Sequence, residues 1–188
     1  MPAGTPETAA RTMTLEAFAD TIIPGGRRAP DDHAVAGATD GGGAVAAGAV
    51  DLREHPASGL AEQLDAVAAG LNANAAGYAA GHGLALDEAL PPFVALPFEH
   101  RTALVSSLVA PGRPDQDVWV GIALFSNMAF DSAAHLSTAD AMAAGHPGLA
   151  TIGWFTPEAD GAWRFPRFSY QRQLASLHPD TTATGSPA

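Results

Sequence analysis

An all-α fold is predicted by three features of the 188-residue chain. Apolar residues recur at helical spacing, proline and glycine punctuate the segments between, and no run alternates with the two-residue period of a strand. The expected architecture is a single helical domain of about five main helices, with an irregular aromatic C-terminal arm or small hairpin. Its bounds are read as 14–178, after a flexible stretch at 1–13 and before a small, polar, disordered tail at 179–188.

Leu15, Phe18, Ala19 and Ile22 fall at i, i+3, i+4 and i+7, so a first short helix is expected from a Thr14 cap to the Pro24-Gly25 stop. Pro24 to Gly43 reads as loop, and the three glycines at 41–43 read as a flexible hinge because they lack a P-loop's spacing and lysine. Ala44 to Glu54 is alanine-rich and predicts a helix that packs closely on another. The clearest helix spans about Gly59 to Ala80, where Leu60, Leu64, Val67, Leu71 and Tyr78 share a face and Gly81 closes the element. A fourth is expected from about Pro97, with Leu104, Val105, Leu108 and Val109 buried. Val118 to His135 is apolar nearly all round, which predicts the central helix of the domain. A short helix follows from Thr138 to Ala144.

The composition excludes several functions. All nine basic residues are arginine, and twenty acids bring the net charge to −11, which repels nucleic acid and anionic lipid alike. The absence of cysteine removes disulfides and thiolate metal sites. No run reaches 18 uninterrupted apolar residues, so no membrane span is predicted. Met1 to Met13 is small and polar, and Arg27-Arg28 leads into an acidic, broken stretch, so no export signal and a cytoplasmic location are expected.

Two constellations stand out. Asp131 and His135 are four apart on the expected central helix, with Asp140 and His146 close behind, and carboxylate and imidazole together are metal ligands or an acid-base pair. The spacing lacks the tight Glu-X-X-His repeat of a di-iron bundle, so buried hydrogen bonding is the preferred reading and no metal or catalytic residue is assigned. Ser126 and Asn127 interrupt the same helix and would line a small cavity or bond a neighbouring helix, a structural role being the preferred reading. His33, His55, His82, His100 and His178 are read as surface residues, and no Gly-X-Ser-X-Gly elbow anchors an acyl-transfer triad.

The arm at 153–170 gathers six of the chain's thirteen aromatic residues. Six such rings would bury roughly 900 to 1,500 Å², more than the ~800 Å² one side of a standard interface needs. Trp154, Phe155, Trp163, Arg164, Phe165, Phe168 and Tyr170 are therefore the expected partner-binding residues. The same arm between identical chains would give a homo-oligomer.

Three segments, residues 14–24, 93–105 and 146–154, resemble the small (gamma) subunit family of gluconate 2-dehydrogenase and related flavin-linked membrane dehydrogenases. They read ThrLeuGluAlaPheAlaAspThrIleIlePro, PheValAlaLeuProPheGluHisArgThrAlaLeuVal and HisProGlyLeuAlaThrIleGlyTrp. The resemblance implies a helical, non-catalytic accessory subunit or folding partner of a large FAD-dependent oxidoreductase of the glucose-methanol-choline type. FAD would sit in the partner and no cofactor in this chain. The sequence departs from that family in lacking a twin-arginine signal before residue 14, in a longer Gly-rich loop at 37–43, and in a more aromatic tail. The alternative is a small helical enzyme acting on an apolar metabolite, with Asp131, His135 and His146 as its acid-base or metal site.

Overall fold

The computed structural model describes residues 5–154 and Asp180. Eight α-helices follow in order among them: α1 (Pro6–Ile22), α2 (Ala49–Glu54), α3 (Leu64–His82), α4 (Pro92–Ala95), α5 (Phe98–Leu108), α6 (Gln116–Ser132), α7 (Thr138–Ala143) and α8 (Pro147–Thr151). Two 3-10 turns, Pro56–Ser58 and Ala61–Gln63, join α2 to α3, and no strand occurs among the described residues. The fold is all-α, and residues up to Trp154 belong to one compact unit.

The centre of that unit is α1, not the 118–135 segment. Leu15, Ala17, Phe18, Ala19 and Asp20 are at most 1% exposed, and α1 packs against α2, α3, α4, α5 and α6. Small residues at 17 and 19 let neighbouring backbones approach, and the polar residues on this helix are satisfied internally. Thr14 donates to Ala10 O at 2.9 Å and accepts from Asn72 Nδ2 at 3.1 Å. The helix also starts earlier than its apolar stripe suggests. Thr5 caps it by accepting from Thr8 N, with Pro6 in the first turn and Glu7 facing the positive end of the helix dipole. Pro6 to Met13, expected to be flexible, are therefore its opening turns, and Thr14 is an interior residue.

Around α1 the core assembles Leu64, Leu71, Phe93, Leu104, Leu108, Trp119 and Ile122, with Phe18 tilted between Phe93 (6.4 Å) and Trp119 (6.5 Å). The predicted buried side of α5 is observed at Leu104, Val105 and Leu108, but Pro97 is its cap rather than its first residue. Where 44–54 and 59–80 were expected to be continuous helices, left-handed glycines break them. Gly48 (φ 81) delays α2 to Ala49, and Gly59 (φ 69) precedes the turn that opens α3. Gly83 (φ 64), rather than Gly81, ends α3.

The 24–43 loop is pinned by two buried charges. Asp20 accepts from Gly25 N (3.0 Å) and Ala36 N (2.9 Å), while Arg101 on α5 donates to Leu96 O, Val94 O, His33 O and Ala34 O. Burial raises the Asp20 carboxyl above its ordinary value, opposed by those two N–H bonds and by Arg101. Gly42 and Gly43 are packed rather than hinge-like, while Gly41 is exposed with open space around it. A Cβ on Gly43 would lie 2.5 Å from Ile23 O, and Gly26 N donates to Gly41 O at 2.7 Å.

Candidate functional site

The end of α6 decides the fate of the Asp131 and His135 constellation. Ala133 takes a left-handed conformation (φ 48) and caps the helix at Ser132, so His135 lies beyond it and the i, i+4 relation to Asp131 is lost. Asp131 is exposed. Asp140, in the first turn of α7, instead pairs with the capping Ser137, whose hydroxyl lies 2.6 Å from Asp140 Oδ2 and accepts from Asp140 N.

His135 and His146 do approach each other, on a seam where α6, α8 and the turn before α2 meet. His146 is buried, caps α8 by accepting from Leu149 N (3.3 Å), and places Nε2 3.1 Å from Ala47 O. A carbonyl only accepts, so Nε2 carries the proton and Nδ1 the lone pair. The His135 ring lies over Gly48, where a Cβ would come within 2.4 Å of Nε2, and its Nδ1 is buried without a hydrogen-bond partner. Its carboxylate neighbour is Asp51 of α2. Burial pushes the imidazole pKa down, with Asp51 opposing and His146 and His55 reinforcing. Among the described residues, no group of three or more His, Asp or Glu side chains is placed to hold a metal ion. The seam joins α6, α8 and the turn before α2.

That junction has a measurable pH signature. A histidine whose folded pKa lies below its unfolded value takes up protons more readily when unfolded, so stability must fall as pH drops below about 6.5. Melting temperature is expected to decline between pH 7 and 5.5 more steeply in the wild type than in His135→Gln. Parallel curves would show that His135 is not buried as described.

Ser126 bonds a neighbouring helix, as its position suggested, but its partner was not foreseen. Arg53 of α2 is fully buried and donates to Ser126 Oγ (2.6 Å), Ile122 O (3.1 Å) and Leu15 O (3.3 Å), with its guanidinium carbon 5.7 Å from the Phe18 ring centre. Burial lowers its pKa to about 10. Asn127 is exposed and bonds back to Ala123 O.

The outer side of α6 offers a different kind of site. Val118, Leu124 and Met128 are 51%, 53% and 42% exposed within a ~120° arc that Gly121 shares, and Asp117 and Asp131 lie exposed near its two ends. Leu136, just past the helix, is 46% exposed. A helix that buries Trp119, Ile122, Ser126 and Ala129 on one side and shows three large apolar side chains on the other has a surface with the chemistry of an interface.

A family model covers residues 9–188, from the first turns of α1 to the last residue. The chain belongs to the DUF5987 family. It is described as a family of unknown function, and its extent takes in the whole of the 153–170 arm. No curated protein and no solved structure matches the chain. Of the arm, Gly153 and Trp154 are described. Trp154 is 42% exposed, and its backbone N–H donates to Leu149 O at 2.9 Å. Phe155, Trp163, Arg164, Phe165, Phe168 and Tyr170 lie outside the described residues, as does His178. The segments that carried the resemblance to the gamma subunits fall on α1 with the turn after it, on α4 and α5, and on α8. Among the described residues no helix is long and apolar enough to cross a membrane.

Proposed function

We propose that this DUF5987 chain is a non-catalytic accessory subunit that docks through the outer side of α6 onto a larger FAD-dependent oxidoreductase of the glucose-methanol-choline type. The observation that carries the reading is the row Val118, Leu124 and Met128, large apolar side chains on the exposed side of a helix whose other side buries Trp119, Ile122, Ser126 and Ala129. Exposing such a row costs solubility without a stabilising return in the isolated chain, whereas an interface core uses it. The resemblance at 14–24, 93–105 and 146–154 supports the choice of partner. Acidic residues at both ends of the row, in a chain of net charge −11, favour an apolar groove with a basic rim on the partner. The aromatic arm, in the same reading, supplies further anchors, with FAD held by the partner.

The test is a double substitution, Leu124→Glu with Met128→Glu. Both side chains already face water, so the isolated chain should keep its helical signal and melt within about 1 kcal/mol of the wild type, as surface changes do. Binding to the flavoprotein should fall by at least a hundredfold, the scale of two lost anchor residues. Undiminished binding would remove α6 from the interface. A wild-type dimer in light scattering that the double variant dissociates would mean that a second copy, not a flavoprotein, covers the row.

A further inference from the structure

We propose that His82 and His100 form a surface site for a borderline-soft divalent transition metal ion, with Tyr78 orienting both imidazoles. The three residues come from two helices. Tyr78 and His82 are one turn apart at the end of α3, and His100 lies in the first turn of α5. His82 stacks on Tyr78 with ring centres 4.0 Å apart and planes at 21°, and Tyr78 meets His100 edge-on at 5.8 Å.

Tyr78 holds the same nitrogen of each ring. Its backbone carbonyl is 2.8 Å from His82 Nδ1, and its hydroxyl is 3.1 Å from His100 Nδ1. A carbonyl can only accept, so His82 Nδ1 carries the proton and Nε2 presents its lone pair, and the ring is exposed. The phenol oxygen can accept from His100 Nδ1–H in the same way, which frees the Nε2 lone pair of His100. An imidazole whose far nitrogen donates to a fixed oxygen is the arrangement in which protein histidines ligate metals, because the oxygen sets both tautomer and orientation.

The ring centres of His82 and His100 are 6.4 Å apart at 59°. Two imidazoles on one tetrahedral ion with metal-nitrogen bonds of about 2.0–2.1 Å have centres roughly 5 Å apart. His82 must therefore close by roughly 1 Å, which an exposed side chain at a helix end can do. Glu99 Oε1, 3.9 Å from His100 Nε2, adds negative charge beside the ion. With two protein ligands, water completes the coordination, and the imidazole chemistry selects zinc, copper or nickel over magnesium or calcium.

Zinc ion alone, titrated into the full chain at neutral pH by calorimetry, is expected to saturate at one ion per chain. His82→Ala and His100→Gln should each weaken binding at least tenfold with the helical signal intact. Tyr78→Phe, which keeps the ring and carbonyl but loses the hydroxyl, should weaken it by roughly tenfold, as loss of an orienting partner does. In the wild type, the imidazole resonances of His82 and His100 should move first. No saturable uptake, uptake unchanged in both histidine variants, or movement of other histidines alone would overturn the site.

Discussion

Gly148→Ala is expected to destabilise the protein by on the order of 3 kcal/mol or more, the upper range for overpacking a rigid contact. A Cβ at Gly148 would lie 1.9 Å from Phe130 O, 2.7 Å from Phe130 C and 2.9 Å from Phe130 Cα, all backbone atoms of α6. Ordinary contact begins near 3.4 Å, so α8 would have to withdraw from α6 by more than an ångström, which also loosens the His146 bridge to Ala47 O. Gly77, exposed within α3 with open space around its Cβ position, provides the control. Alanine there should stabilise by about 0.5–1 kcal/mol through helix propensity. Urea unfolding of the two variants reads both effects, and a Gly148→Ala protein as stable as the wild type would show that α8 does not sit on α6.

Arg53 separates shape from charge. Its guanidinium is fully buried, its Nε has no hydrogen-bond partner, and no carboxylate pairs with it among the described residues. Arg53→Ala should cost about 3–5 kcal/mol, since it empties space lined by Leu15, Phe18 and Ile122. Arg53→Met fills most of that space without burying a cation. Leu15 O and Ile122 O lie within helices and keep their backbone bonds, and Ser126 can turn its hydroxyl to Ile122 O, so the methionine variant should fall within about 1 kcal/mol of the wild type. If methionine proves as damaging as alanine, the three hydrogen bonds of Arg53, and not its volume, hold α1, α2 and α6 together.

The helical stripes were legible because burial and period coincide in them. Leu15, Phe18 and Ala19, then Leu64, Val67 and Leu71, then Leu104, Val105 and Leu108 are buried where the sequence placed them. What was not legible is polar. Arg53 and Arg101 look like surface residues by type, and only their bonds to distant carbonyls reveal them as core. The central helix differs from the apolar pattern for the same reason, since α1 carries Thr14 and Asp20 on buried positions while α6 carries apolar residues on exposed ones. Thr5, Pro6 and Glu7 supply the cap, first-turn proline and first-turn acid that mark the true beginning of α1. Asp131 and His135 separated because one residue, Ala133, turned left-handed, which periodicity cannot foresee. Tyr78 and His82 meet His100 because the end of α3 lies beside the first turn of α5, although the four-residue spacing of the first two is readable.

The accessory-subunit reading is tested most directly by capturing the full chain from its native host and measuring FAD in what comes with it. A stoichiometric larger protein with bound flavin, retained by the wild type and lost from the Leu124→Glu, Met128→Glu variant, is the predicted result. Capture of the 19.1 kDa chain alone, from extracts in which a glucose-methanol-choline type flavoprotein is expressed, would contradict it.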